Sequence, residues 1–375
     1  MNEQIRALFP VTEKYTYLNS AAVSPPPATA IEAALGQLRD AQMNGSVNFG
    51  AWLAMKEKTR KLLAGLLGAR PEQVALMRNT SDALSCIANG LTWQTGDNLV
   101  TFSGEFPSNA LTWLSLRGVG VEVRQCAERD GRVDVEELLS FIDAKTRLVA
   151  LSFTQYSLGF RADLERIGRA ARERDALFVV DMIQGLGVLP VDVEAQFVDA
   201  AAGAGHKWLM APEGLGYLYL SDRARERVKP TLLGWVSVAD PNAMSNEGQE
   251  LKPGALAWET GTLPTALVYA MRESLKLLTE TGVPRIAAYL EELTDYLCQE
   301  LTAKDYEIVS SRRPGEKSQI VCARHRDLEK WPAMKLYQHL EANNIITSPR
   351  AGRLRIAPHF YNTAADIDAL LAALP

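Results

Sequence analysis

Three short stretches carry residues able to do chemistry together. In "GAGHKWL" (Gly203–Leu209), Lys207 sits beside His206 in a turn rich in glycine and alanine, just ahead of the strand-like "LGYLYL". Lysine is ordinarily a solvated surface residue, and here its neighbours have the composition of buried protein. A free lysine has a pKa of about 10.4. Burial or nearby positive charge lowers that value and makes the neutral amine a practical carbonyl nucleophile. The plain alternative is a surface lysine whose stem lies along apolar neighbours. In "VVDMIQG", Asp181 follows an apolar run, at the end of a predicted buried strand, with Gln184 three residues on. Open α/β sheets hold ligands at that edge. A carboxylate there can cap a turn, or it can pair with a protonated ring nitrogen. "NTSD" (Asn79–Asp82) follows a strand and opens a helix. Free N–H groups, the hydroxyls of Thr80 and Ser81 and the positive helix end suit a phosphate. An N-cap is the commoner use of such residues.

The joint occurrence discriminates. A phosphate cradle, an acid for a pyridinium, a hydrogen-bonding amide and a Schiff-base lysine, in that order, are what pyridoxal 5'-phosphate (PLP) needs from a protein. Other motifs fail. None of the glycine pairs around Gly185, Gly203 and Gly214 completes GxGxxG, and there is no GxxxxGK[ST] or GxSxG. The four histidines are scattered without HExxH, so no metal site is expected.

These residues need elements to position them. Strands are predicted at Gln73–Met77, Asn98–Phe102, Val121–Cys126, Arg147–Phe153, Leu177–Met182 and Leu215–Leu220, with helical stretches between them. Leu164, Ile167 and Ala171 recur at helical spacing. Strands alternating with helices imply an α/β fold with a mainly parallel sheet covered on both faces. From Pro264 the chain becomes mainly helical, with strand-like "SQIVCAR" and "RLRIAP" between helices, a smaller α+β unit. The expected division is an N-terminal segment (1–20), a large cofactor-binding domain (21–258) and a small C-terminal domain (259–375).

Composition narrows the class. The chain has 375 residues, a net charge of −5 and no basic run, which argues against nucleic acid as a partner. No apolar stretch is long enough for a bilayer, and the N-terminus lacks the apolar core of a signal peptide. Cys86, Cys126, Cys298 and Cys322 form no CxxC pair and read as reduced thiols. A cytoplasmic enzyme is expected.

The chain resembles the class V aminotransferases, the family that includes cysteine desulfurases, isopenicillin N epimerase-like proteins and kynureninases. The likeness rests on "YLNSAAVSPPP", "EFPSN", "DMIQ", "GHKW…PEGLGYLY", "WETGT" and "LRIAPHFYNT" and spans nearly the whole chain. It implies PLP fold type I, like aspartate aminotransferase, with a seven-stranded sheet in the large domain. By the same resemblance Lys207 carries the Schiff base and moves protons at the substrate carbons. Asp181 protonates the ring nitrogen and Gln184 bonds the ring oxygen. Thr80, Ser81 and His206 bind the phosphate. Thr262 does so from the neighbouring subunit, which implies a homodimer. Arg355 clamps the substrate α-carboxylate, a task for which a bidentate guanidinium is well suited. Ala22 of the N-terminal motif lies on the substrate side. Phe106 falls where the ring-stacking residue sits, a histidine in desulfurases and a phenylalanine in kynureninase-like members.

The sequence also departs from the family pattern. No cysteine stands in "NNIITSPRAGRLR", where desulfurases carry their nucleophile, and Cys322 reads as a core residue. Ala204 replaces the serine before Gly-His-Lys. Tyr156 replaces a substrate-side asparagine, either reaching the cofactor or forming a wall. Arg350 and Arg353 hint at a second anionic group on the substrate, against their plain reading as exposed loop charges. Specificity in the family lies in loops such as Leu232–Gly248, where Trp235 either lines the pocket or packs at the dimer interface. The expected activity is that of an aminotransferase or a β-elimination (C–S lyase) enzyme acting on an α-amino acid. A cysteine desulfurase or selenocysteine lyase without the usual cysteine is the alternative, and a catalytically silent PLP-binding protein the third.

Overall fold

The computed structural model describes residues 3–375. Two long helices, α1 (Ala28–Asn44) and α2 (Phe49–Leu67), precede the main sheet. Its strands are β1 (Val74–Met77), β2 (Asn98–Phe102), β3 (Glu122–Cys126), β4 (Thr146–Ser152), β5 (Leu177–Asp181), β6 (Ala200–Ala204) and β7 (Gly216–Leu220). They lie in the order β1-β7-β6-β5-β4-β2-β3. Only β7 is antiparallel to its neighbours. Every parallel strand therefore ends at the same edge.

Alternation along the strands builds a core on each face. Phe178 and Val180 of β5, with Tyr217 and Tyr219 of β7, point to one side. Leu177, Val179, Leu218 and Leu220 point to the other. Helix α3 (Thr80–Gly90) covers the second face with Ala83, Leu84 and Ile87. Helix α4 (Leu164–Glu173) covers the first through Leu164, Ile167 and Ala171, the residues at helical spacing. Strand β6 is Ala-Ala-Ala-Gly-Ala and is not marked in the sequence, because it has no β-branched or aromatic residue. Burial on both faces makes it a strand nonetheless, and small side chains suit the centre of a sheet covered twice.

The second unit begins later than the change in texture suggests. Helix α5 (Thr265–Thr281) packs on α1 and α2, and its Val268, Met271, Leu275 and Leu278 belong to the large core. The next helix, α6 (Val283–Ala303), starts in that core with Ile286 and Leu290. It leaves it at Leu293, which with Leu297 and Leu301 joins a separate cluster. By packing, the chain passes from the large core to the separate cluster near residue 290. Beyond it, β8 (Tyr306–Ile308), β9 (Val321–His325), β10 (Ser348–Arg350) and β11 (Arg353–Ile356) form an antiparallel sheet in the order β8-β9-β11-β10. Helices α7 (Ala333–Ala342) and α8 (Ala364–Ala373) add Leu336, Leu340, Ile367 and Leu370 to its core.

The N-terminal segment joins this second unit. Thr16–Tyr17 pairs in parallel with Ile345–Ile346, and Asn19 bridges to Ala357. Arg6 forms a bidentate pair with Asp366.

One buried ion network braces the sheet edge. Glu259 accepts hydrogen bonds from Arg60 (2.5 Å) and the Leu76 amide (2.9 Å) and pairs with Lys56. Arg60 also donates to the Val74 carbonyl. Burial pushes the Glu259 carboxyl up, and Arg60 with Lys56 overcomes this and holds it below the usual range. The network ties α2 to β1 and to the "WETGT" stretch. Glu259→Ala takes from the buried Arg60 guanidinium its buried carboxylate partner, leaving it the exposed Glu57, and strips Lys56 of its partner, at an expected cost of about 3 kcal/mol. Urea unfolding should show the midpoint falling sharply in that variant and less in Glu259→Gln.

Candidate active site

The shared strand edge gathers the chemically capable residues around a cavity of about 280 Å³. Strand β1 delivers Asn79, whose side chain caps α3 by accepting from the Asp82 amide (2.9 Å). The two readings of "NTSD" thus separate by residue. Asn79 is the cap, while the Thr80 hydroxyl is buried in the cavity wall without a hydrogen-bond partner. Ser81 donates to Ser108 at 2.7 Å. Strand β7 must pass close to this turn. A Cβ on Gly216 would lie 2.5 Å from the Gly203 carbonyl oxygen and 3.1 Å from the Asn79 Cα, so only glycine fits.

Strand β5 ends on Asp181, which is 2% exposed and accepts from the Ile183 amide at 3.0 Å. Burial raises its carboxyl to about 6, against the pull of that amide and of Lys207. Gln184, on the turn after β5, donates to the Ala21 carbonyl (2.9 Å) and accepts from the Trp208 indole (2.7 Å). An amide NH2 has two hydrogens, so one remains for a ligand. Glu105, after β2, accepts from the Ser152 amide at 2.9 Å and from its hydroxyl. Ser152 lies directly across from Asp181 in the sheet. Burial pushes Glu105 up to about 7.

Strand β6 ends just before His206 and Lys207, and both line the cavity. Lys207 is 7% exposed and has no carboxylate in salt-bridge contact among the described residues; its Nζ lies 5.2 Å from the centre of the Phe106 ring. Burial lowers its ammonium to about 8, with Asp181 opposing and Arg355 and Arg350 assisting. Phe106 meets Tyr156 edge-to-face at 5.2 Å, and both rings line the cavity. The glycines beside Lys207 face protein and do not open room for a ligand. A Cβ on Gly203 would collide with the Tyr217 ring, and one on Gly205 would lie 2.8 Å from the Ala211 Cβ.

The small unit contributes Arg355, which is 1% exposed. It donates to Ser348 (3.1 Å), the Tyr156 carbonyl (3.1 Å) and Asn19 (3.4 Å), all neutral acceptors. Burial first, then Arg350, lowers its guanidinium to about 10. The three arginines of this hairpin divide. Arg350 lines the cavity, whereas Arg353 turns away to pair with Glu128. Ala22 lines the cavity. Thr262 does not. It lies on an adjoining cleft with Asn79, His206 and Glu213, and on another with Phe49, Trp52 and Trp235. Sequence reasoning missed Ser108, Glu213 and Ile183 as lining residues, because strand-edge loops leave no periodic signal.

The residues present fit PLP. The unpartnered Thr80 hydroxyl, the spare Gln184 hydrogen, the buried Asp181 and the desolvated Lys207 are each what one part of that cofactor requires. None of the four cysteines lines the cavity. Cys322 is fully buried on β9, across from Arg355, and burial pushes its thiol up to about 11.

The chain is similar to known proteins over nearly its whole length. The aminotransferase class-V family profile matches residues 16–370. A probable cysteine desulfurase of Methanothermobacter thermautotrophicus is 30% identical over 98% of this chain and 96% of its own. An uncharacterized aminotransferase of Bacillus subtilis is 26% identical over 97% and 95%. Among solved structures, the cystine C–S lyase C-DES, in complex with its product cysteine persulfide, superposes with a TM-score of 0.89 at 22% identity, over 97% of this chain and 98% of that one. The fold is therefore that of the PLP-dependent cysteine desulfurases and lyases. The chain belongs to the class-V aminotransferase family.

Proposed function

We propose that the protein is a PLP-dependent enzyme acting at the α-carbon of an amino acid, of the aminotransferase or β-elimination (C–S lyase) type. The observation that carries this reading is the meeting of Lys207, Asp181, Arg355 and the unpartnered Thr80 hydroxyl in one cavity. PLP, when bound, supplies the electron sink that stabilises negative charge at the substrate α-carbon. Lys207 holds the cofactor aldehyde and later takes the proton from the α-carbon. Its lowered pKa leaves a useful fraction of neutral amine near pH 7. Asp181 keeps the ring nitrogen protonated, and Gln184 donates its free hydrogen to the ring oxygen. Thr80, Ser81 and His206 hold the phosphate at the start of α3. Phe106 packs against the ring, and Tyr156 narrows the substrate side beside Ala22. Arg355 receives the α-carboxylate, which gives its buried cation the charged partner the protein withholds.

The absence of a thiol from the cavity favours elimination or transamination over desulfuration through an enzyme persulfide. In an elimination, Lys207 takes the Cα proton while the Cβ–S bond breaks and the thiolate leaves with its electron pair. The relatives named as probable cysteine desulfurases support the second reading, in which a cysteine from elsewhere does the sulfur chemistry. Product identity separates the two, since elimination yields pyruvate and ammonia and desulfuration yields alanine.

A homodimer belongs to the same reading. Phe49, Leu53 and Trp235 are 41–49% exposed and line the cleft that holds Thr262. Exposed apolar patches of this kind mark association surfaces. A second copy seated there would bring its own Thr262 to this site. The four unpaired cysteines accord with a cytoplasmic setting, and no helix among the described residues is long and apolar enough to cross a membrane.

Borohydride should fix a PLP label to the peptide containing Lys207, while Lys207→Ala should lose its label on dialysis; a colourless protein that PLP cannot reconstitute overturns the reading. With cystine or cysteine, pyruvate is the expected product if either is a substrate, and alanine would establish desulfuration instead. Only the neutral amine captures the aldehyde, so capture of PLP by the apoprotein should speed up as pH rises and level off above about 8; stopped-flow absorbance reads this, and a midpoint near 10 would mean an ordinary solvated lysine. Light scattering should give twice the 41.2 kDa chain mass, and a monomer would contradict the shared site.

A further inference from the structure

We propose that Arg350 is the receptor for a second anionic group, so that the site takes an amino acid whose side chain ends in a carboxylate or sulfinate. The proposal deepens the PLP reading and rests on it. Hairpin β10–β11 sets Ser348 opposite Arg355 and Arg350 opposite Arg353. Residues two apart on a strand share a face, so all three arginines start from one face of the hairpin, and Arg353 then turns aside to Glu128. Diagonal neighbours on such a face stand about 7–8 Å apart, a span that suits two acid groups separated by a short carbon chain. The three guanidiniums differ in what satisfies them. Glu128 neutralises Arg353. Arg355 is held by neutral oxygens and awaits the α-carboxylate. Arg350 is half-buried and donates only to the neighbouring Pro349 carbonyl, with no carboxylate in salt-bridge contact among the described residues.

Charge in the cavity sharpens the point. Its two carboxylates lie at the cofactor end. Asp181 sits on the floor near Lys207, and Glu213 stands by His206. Arg350 and Arg355 have none at theirs. One α-carboxylate would neutralise one of them, and the other cation would still face the substrate. A neutral side chain would meet a half-buried guanidinium with nothing to offer it, whereas an anionic one makes a charge-assisted and potentially bidentate contact. Arg350 thus separates side chains by charge while Arg355 binds what all amino acids share.

Calorimetric titration of the holoprotein with succinate and with propionate tests this, since neither has an amine to react. Wild type should bind succinate about tenfold or more tightly than propionate, the worth of one added charged hydrogen-bonded pair. In Arg350→Ala that ratio should collapse to about one with propionate affinity unchanged, and Arg350→Lys should recover part of it. Equal affinities in wild type, or a preference that survives Arg350→Ala, overturn the proposal. If Arg350→Ala also loses propionate, the site as a whole is damaged and the wild-type ratio decides. A protein that stays colourless yet keeps the dianion preference overturns the PLP reading and leaves this one standing.

Discussion

A lysine and an aspartate share a nearly dry cavity floor, and most of the surrounding architecture follows from keeping them there. Taking either ion out of water is costly, and burial moves both toward their neutral forms. Each opposes the shift of the other, so the pair is poised in the middle of the pH scale. Neighbouring strands β5 and β6 supply the two residues, and their parallel register sets the spacing. The all-alanine-and-glycine β6 allows the sheet to be covered on both faces at that point, and the cover excludes water from the floor.

Around this pair the site is assembled from groups that lack a partner. The Thr80 hydroxyl, one hydrogen of Gln184 and the guanidiniums of Arg355 and Arg350 have hydrogen-bonding capacity that the protein does not use. Buried polar groups in folded proteins are normally satisfied. The Thr80 hydroxyl is an exception that faces this cavity, and with the spare donors of Gln184, Arg355 and Arg350 it outlines what the proposed ligand would supply. By contrast the buried Glu259 and Arg60, with the partly buried Lys56, find partners in one another, in Glu57 and in the backbone of Val74 and Leu76, and serve the scaffold.

Much of this was legible in the sequence, for physical reasons that also explain what was not. Asp181 and Gln184 stood out because an apolar strand ran into polar residues, and Lys207 because its neighbours were too small and apolar for a surface. Six strands of the main sheet carried β-branched or aromatic residues and could be read; β6, with neither, could not. The glycines beside Lys207 are letters without a side chain, and only the fold shows that Tyr217, Ala211 and Met271 occupy the space they leave. Arg350 and Arg353 are indistinguishable as letters. Hairpin register and one acid, Glu128, separate them, and both are tertiary facts. Helix α5 follows the change in texture but packs with what precedes it, since composition does not record which core a helix face meets.

The pairing of Thr16–Tyr17 with Ile345–Ile346, and of Asn19 with Arg355 and Ala357, has a consequence for the order of events during synthesis. Residues 16–19 leave the ribosome long before the partners at 345–357 with which they pair. All strands of the large sheet lie within Val74–Leu220, so Lys207 and Asp181 emerge with that sheet ahead of residues 345–357. Arg355 cannot be held by Asn19 until the later segment emerges and pairs with residues 16–19. On the proposed roles, a nascent chain therefore acquires its cofactor-binding groups before its substrate-binding arginine.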